Sequence, residues 1–274
     1  MSPTDPPIIT LLTDFGPNGA PAACHGVMLS ICRTARIIDV GHSVPKYAIR
    51  DGAFLMRLAL PWVPVGVHVG VVDPGVGTYR RPIGIRVARG DVLIGPDNGL
   101  LPPAADALGG AVEARELANR ALWLAEISAT FHGRDIFSPV AAHLAAGDAP
   151  FEAIGPEIAI NSLVRLPEPR ARVSNGAIET EVTWVDSFGN LRLAGGEPEL
   201  RAAFGAPVDG DRFTVRVGAE ATDATFARSF GNVEAGSTVL YVDSSGDLAL
   251  GANQADLAAR IGVESGMVAE IERA

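Results

Sequence analysis

A basic surplus, paired cysteines, aromatic bulk and long apolar runs are all missing from this chain, and each absence removes a class of function. The formal net charge is -10, with no long run of one sign. Nucleic acid and anionic membranes are therefore not expected as main partners, because phosphate binding needs a basic face. The acidic balance suits a cationic small molecule. There are 2 cysteines, Cys24 and Cys32, without the spacing of a redox pair or a zinc site. On one helix they would lie about two turns apart, too far for a disulfide, and they read as buried thiols. No apolar stretch approaches the ~20 residues that span a bilayer. The opening Met-Ser-Pro-Thr-Asp-Pro-Pro lacks the basic and apolar regions of a signal peptide, so a cytoplasmic protein is expected. The 5 histidines, at 25, 42, 68, 132 and 143, show no HExxH or similar ligand spacing, and no dinucleotide fingerprint, Walker A loop or GxSxG elbow is present.

What is there belongs to a folded protein with a large core. Of 274 residues, 47% are hydrophobic and 20% charged, and only 6% are aromatic, so Val, Ile, Leu and Ala must do most of the packing. Ile8–Asp14, Ala35–Val40, Val65–Asp73, Ile83–Ala88 and Val92–Asp97 read as strands, apolar on both faces as in a covered, mostly parallel sheet. Ala22–Thr34 and Tyr47–Leu60 have helical spacing between them. Ser138-Pro139 reads as the N-cap and first position of a further helix, which Gly147 would end. The stretch Leu163–Val173 carries prolines among charges and reads as a linker. Beyond it, Ile178–Val185, Arg212–Val217, Thr238–Val242 and Leu248–Leu250 alternate with period two, and Ser244-Ser245-Gly246 suits a hairpin. The expected organisation is an α/β domain over residues 1–166, a mostly parallel sheet flanked by helices, then a smaller antiparallel β-barrel domain over 174–274.

Chemistry is expected where three predicted strands end in a carboxylate followed closely by glycine: Asp14-Phe-Gly, Asp73-Pro-Gly and Asp97-Asn-Gly. In open α/β sheets ligands bind beyond the carboxyl ends of the strands, and glycine lets a ligand approach the backbone. Such acids also serve as helix caps and turn formers, but three in glycine-bearing loops favour a polar ligand site. They would suit either a hard cation or sugar hydroxyls. Arg80 and Arg81 follow Asp73, and a guanidinium competes with a metal for a carboxylate, so the metal reading is the weaker. Thr130-Phe-His-Gly-Arg-Asp135 is the other polar cluster. Its His132 suits a general base, a proton relay or a loop hydrogen-bonding role.

Taken together, LLTDFG at 11–16, DVGHSVP at 39–45, VVDPGVGTYRR at 71–81, GPDNGLL at 95–101, TFHGRDIFSPVAAHLAAG at 130–147, VDSFGN at 185–190 and YVDSSGDLALGAN at 241–253 resemble the SAM hydroxide adenosyltransferases, relatives of the bacterial fluorinase and chlorinase. The resemblance spans nearly the whole chain. It implies hydrolysis of S-adenosylmethionine (SAM) to adenosine and methionine without a metal or other cofactor. It also implies a homotrimer with each site between the N-terminal domain of one subunit and the C-terminal domain of the next. The Asp-Arg-His set of the hydrolytic branch falls on Asp73, Arg80 and His132. The halide-using relatives have tyrosine at the first of these positions and a long insertion that this chain lacks. Asp14 matches the residue that grips the ribose hydroxyls, Phe188 and Asn190 the adenine-contacting pair, and Asp186 and Ser244 the residues holding the methionine amino and carboxylate groups. The chain departs from the family at Cys24-His25-Gly26, at Lys46, and at Ser245, where the fluorinase has arginine.

A sulfonium makes methionine a good leaving group, so what remains is to align C5′ with an oxygen nucleophile and to deprotonate it. Asp73 and His132 both suit the proton-taking role. A rival from another class, a SAM- or adenosine-binding protein without turnover, would need Asp14, Phe188 and Asn190 but not Asp73, Arg80 and His132 together. A metal-dependent phosphohydrolase built on the strand-end acids is the third alternative.

Overall fold

The computed structural model describes residues 5–274; residues 1–4, which open the segment read as lacking a leader, lie outside the described residues. The chain divides into two units between Leu166 and Pro167.

In the first unit β1 (Ile8–Thr13), α1 (Ala20–Ile31), β2 (Arg36–Gly41), α2 (Ile49–Ala59), β3 (Val67–Val71), β4 (Pro82–Val87), β5 (Val92–Pro96), α3 (Pro102–Ala107), β6 (Ala111–Glu116), α4 (Ser138–Ala146) and β7 (Glu157–Ile158) follow one another. The 7-stranded sheet has the order β2-β1-β3-β5-β4-β6-β7. Pairings from β2 through β1 and β3 to β5 are parallel, and those onward to β4, β6 and β7 are antiparallel. The reversal at β4 and β5 follows from their connection: four residues from Ala88 to Asp91 make a hairpin but cannot make a parallel crossover. β1 and β3 are buried throughout, as their continuous apolar sequences require. β2 is the sheet edge and largely exposed, so its isoleucines and valine are not covered as its composition suggests.

Two expected helix starts are corrected. α2 begins at Ile49 and not at Tyr47, because Tyr47 is held in the left-handed region at φ 67°. Ser138 is not an N-cap. A π-helical turn, Gly133–Phe137, runs directly into α4, and the Ser138 hydroxyl donates back to the Gly133 carbonyl at 2.7 Å. Pro139 is tolerated inside this continuous helix because the Asp135 carbonyl, the partner its missing N–H would have had, accepts from Leu124 N instead. Gly147 ends α4 in the left-handed conformation, as expected.

The second unit contains β8 (Arg172–Ser174), β9 (Ala177–Val185), β10 (Leu191–Gly196), α5 (Glu197–Phe204), β11 (Arg212–Val217), β12 (Glu220–Phe226), β13 (Thr238–Val242), β14 (Asp247–Ala252), α6 (Leu257–Ile261) and β15 (Val268–Arg273). The strand order β10-β14-β13-β12-β11-β15-β9-β8 closes through an additional β9–β10 pairing, so seven strands form a barrel and β8 is left at its rim. All pairings are antiparallel except β12 with β13. Closure removes the exposed edges that a sheet of this size would otherwise carry. Inside, Phe213, Val215, Leu240, Leu250 and Ile271 are fully buried. Among the described residues, no helix is long and apolar enough to cross a membrane.

Candidate active site

Asp14, Asp73 and Asp97 follow β1, β3 and β5, three neighbouring parallel strands, at their carboxyl ends. The structure treats them differently. Asp97 is buried and structural, a correction to its reading as part of a ligand site. Arg81 holds its Oδ2 through Nε at 2.9 Å and Nη2 at 2.5 Å, and its Oδ1 accepts from Val164 N. A carboxylate so occupied is a brace for the chain near residue 164.

Asp73, Arg80 and His132 are brought together although 52 residues separate the last two. Arg80 Nε donates to Asp73 Oδ1 and Oδ2, both at 3.0 Å, and its Nη2 donates to Oδ2 at 2.5 Å. The same Nη2 lies 2.9 Å from His132 Nδ1. Side-chain exposure is only 9% for Arg80 and 4% for Asp73, so the pair is shielded from solvent screening. The guanidinium also lies 5.1 Å over the Phe137 ring, which fixes its plane. Burial lowers the pKa of His132 below the usual 6.5; the positive charge of Arg80 adds to this, and Asp73 and Asp135 oppose it. His132 is therefore neutral near pH 7.

His132 stands at the start of the π-helical turn, a feature that recurs at functional sites. Asp135, fully buried, holds the turn by accepting from Ser128 N at 2.7 Å and from Arg134. At Gly133 any Cβ would lie 3.0 Å from the Phe15 ring, so glycine lets the turn pack against the residue that follows Asp14. Phe15 meets Phe131 edge-to-face at 5.5 Å. Asp14 is partly exposed, and its Oδ2 accepts from Tyr47 N at 3.1 Å. The left-handed Tyr47 thus aims its N–H at Asp14 Oδ2, and among the described residues no donor is seen on Oδ1.

In the second unit Asp186, Phe188 and Asn190 form one tight loop. Asp186 Oδ1 accepts from Phe188 N at 2.8 Å and Asn190 N at 2.9 Å, and Oδ2 accepts from Asn190 Nδ2 at 2.9 Å. Gly189 adopts φ 77° and lies so close to Asp256 that no Cβ fits. The loop presents Phe188 at 75% exposure. With Asn190, Phe230 and residues 252–255 it lines a cleft of about 420 Å³. Ser244 is exposed in the β13–β14 hairpin.

Sequence reasoning did not single out several residues that lie beside these loops. Arg192 lies 2.6 Å from Asp243 and donates to the Ser245 hydroxyl at 3.2 Å, placing a guanidinium beside the hairpin where Ser245 supplies none. Phe230 stacks edge-to-face on Tyr241 at 5.1 Å. Burial pushes the Tyr241 hydroxyl up to about 12, with Asp186 and Asp243 adding to it. Neither Arg192 nor Phe230 stands in a motif of its own: Arg192 is placed by the pairing of β10 with β14, and Phe230 by the turn between β12 and β13. Cys24 and Cys32 are free and buried, and burial raises the Cys24 thiol to about 11; both are inert packing groups.

Comparison with known proteins gives a consistent picture. Residues 9–155 match the profile of the SAM hydroxide adenosyltransferase N-terminal domain, and residues 180–270 that of the C-terminal domain. An (R)-S-adenosyl-L-methionine hydrolase of Salinispora tropica is 45% identical over 267 residues, 97% of each chain. A fluorinase of an Actinoplanes species is 30% identical over 295 aligned positions, 98% of each chain. The crystal structure of an uncharacterized conserved protein from Thermotoga maritima superposes with a TM-score of 0.87 at 34% identity, covering 97% of this chain and 100% of that one.

Proposed function

Since the chain belongs to the SAM hydroxide adenosyltransferase family, we propose that Asp73, Arg80 and His132 are the groups with which it hydrolyses S-adenosyl-L-methionine to adenosine and L-methionine. The observation that carries this assignment is the one guanidinium that holds both Asp73 oxygens and His132 Nδ1.

Water attacks C5′, the C5′–O bond forms as the C5′–S bond breaks, and the electron pair neutralises the sulfonium. The leaving group needs no acid, so only the proton of the water requires a destination. Arginine is a donor only, so His132 Nδ1 accepts, and the neutral imidazole must carry its proton on Nε2. His132 then offers the water a donor, and Asp73 takes the proton. Among the described residues Oδ1 of Asp73 accepts only from Arg80 Nε, whereas Oδ2 accepts from both Nε and Nη2, which makes Oδ1 the freer oxygen. Arg80 offsets the negative charge developing on the nucleophile. Holding water and C5′ in line contributes ~7–11 kcal/mol in favourable cases. The scheme uses no metal and no cofactor.

Asp14 would grip the ribose hydroxyls, Phe188 and Asn190 the adenine, and Asp186 and Ser244 the methionine end. An ionised carboxylate has about four acceptor positions, and the loop uses three on Asp186, which leaves one for an ammonium group. We place the active assembly as a homotrimer with each site shared between subunits, on the strength of the family pattern. Two buried, free thiols suit a reducing compartment, and we place the protein in the cytoplasm. Its charge of -10 suits the cationic substrate and not nucleic acid or membrane. The halide reading is weaker, since Asp73 stands at the tyrosine position and its charge repels an anion. The test is incubation with SAM in isotopically labelled water. Adenosine carrying solvent oxygen at C5′ is expected, with no halogenated nucleoside in chloride or fluoride; unlabelled adenosine sinks the proposal.

A further inference from the structure

His25, Asp39 and His42 offer one ligand atom each within 4.8 Å of one another, and we propose that they bind a divalent first-row transition ion, with zinc as the representative. The inference does not rest on the hydrolytic reading.

Sequence spacing hides the site. His25 comes from α1, Asp39 from the edge strand β2, and His42 from the residue just past it. On a regular strand, positions three apart point to opposite faces. The β1–β2 register shifts between Leu11 and Leu12, so that Leu11 pairs with Asp39 but Leu12 with Gly41. The extra residue restores a common face to Asp39 and His42. Such bulges re-aim side chains and are frequent beside functional sites.

The donor set is chemically apt, because two imidazoles and a carboxylate suit Zn²⁺ and related ions. His25 Nε2 and His42 Nε2 converge on the same oxygen, Asp39 Oδ1, at 2.8 and 3.0 Å. Only the first contact has hydrogen-bond geometry. His42 Nε2 is buried with no hydrogen-bond partner among the described residues, and its other nitrogen, Nδ1, is 3.0 Å from Thr13 Oγ1. Without an ion, His42 Nε2 is a buried N–H lacking an acceptor or a lone pair facing a carboxylate; both are costly. A cation satisfies that nitrogen, and Thr13 then plays the orienting role that a hydrogen bond to the second imidazole nitrogen commonly has in metal sites. Ligands around zinc at ~2.0–2.2 Å stand somewhat further apart than these atoms. Asp39, with 43% side-chain exposure, can swing to accommodate that, and water can complete the coordination. The ion would tie α1 to the sheet edge. Through Thr13 and the Gly16 N–H bond to the His42 carbonyl, it would also brace the turn carrying Asp14.

The test uses tag-free full-length protein stripped with chelator, titrated with Zn²⁺ by calorimetry and with Co²⁺ by visible absorption. One equivalent per chain, a cobalt–imidazole spectrum and a higher Tm with zinc are expected. His25→Ala and Asp39→Asn should each weaken binding at least about 100-fold, beyond the usual effect of losing an outer-shell partner. His143→Ala, which removes a surface His–Asp pair with Asp148, should bind as the parent does. Melting of the stripped variants like the stripped parent separates ligand loss from misfolding. Substoichiometric binding by the parent, or undiminished binding in the His25→Ala, Asp39→Asn double variant, overturns the proposal.

Discussion

Arg80 donates through Nη2 to Nδ1 of His132 at 2.9 Å, while the same nitrogen holds Asp73 Oδ2. A cation bonded to an imidazole opposes its protonation, and burial, the larger cause, acts in the same direction. The titration of His132, followed by NMR, should therefore have its midpoint below 6.5, and the acid limb of turnover should fall in the same range. Arg80→Gln removes the cation and leaves Asp73 uncompensated, so the midpoint should move upward. The linkage has a definite sign. Because the folded value is depressed, the unfolded chain binds more protons as pH falls through 6.5, and His132 costs stability there. A parent midpoint at or above 6.5 contradicts this arrangement.

A second buried network concerns stability alone. His68, on β3, links Thr10 of β1 to Asp91 of the β4–β5 turn, contacting Thr10 Oγ1 at 3.0 Å and Asp91 Oδ1 at 2.8 Å, with Asp91 and His68 both fully buried. Burial by itself raises the Asp91 carboxyl, but the bonds from His68, Arg89 and Gly66 N outweigh it and hold it well below the usual range. Asp91→Ala should cost ~3–5 kcal/mol, the typical effect of removing one partner of a buried ion pair. The contribution of Asp91 should be fully present above its unfolded value of about 3.9 and be lost as pH falls through the depressed folded value. Denaturant melts of parent and variant check this: the difference should be full at neutral pH and already smaller at pH ~3, where the loss has begun.

The parallel half of the first sheet was legible because β1 and β3 are buried on both faces, so burial wrote itself into unbroken apolar runs. β12 and β15 were not, since Glu-Ala-Thr-Asp-Ala-Thr-Phe and Val-Ala-Glu-Ile-Glu-Arg place short or charged residues on their outward faces. Their membership comes from barrel closure. Ser138-Pro139 mimicked a helix start because the chemistry of a cap and of a proline tolerated mid-helix is the same locally; only Leu124, distant in sequence, decides between them. Asp97 resembled Asp14 and Asp73 in its glycine loop, and what distinguishes it is Arg81 on one oxygen together with the distant Val164 N on the other. The His25, Asp39 and His42 cluster was invisible because it depends on a one-residue bulge that no local pattern announces.

Subunit exchange tests the shared site. If Asp73 acts from one chain and Asn190 from another, inactive Asp73→Ala protein mixed with inactive Asn190→Ala protein should regain part of the parental activity, since some sites then combine two intact halves. Mass spectrometry of the assemblies establishes that exchange has occurred. No recovery in exchanged mixtures would place each site within one chain.

Chemistry and binding separate at Asp73 and Asp14. Asp73→Asn keeps the shape of the side chain but removes the charge that pairs with Arg80 and accepts the proton of water. Single-turnover rates should fall by ~10²–10⁴, the usual range for a positioned acid–base group. Equilibrium SAM affinity should change little, because the proposed ribose, adenine and methionine contacts are made by other residues. Asp14→Asn should behave in the opposite way. One of its oxygens accepts from Tyr47 N, and the other is available to the ribose. Replacing the charge weakens hydrogen bonds worth ~1.5–3 kcal/mol each, so affinity should drop by roughly 10- to 100-fold while bound SAM still reacts. The contrast is the informative quantity: two carboxylates at the ends of adjacent strands, one read by rate and one by affinity. If Asp73→Asn turns over normally and loses affinity instead, Asp73 is a binding residue, and the Asp-Arg-His assignment fails with it.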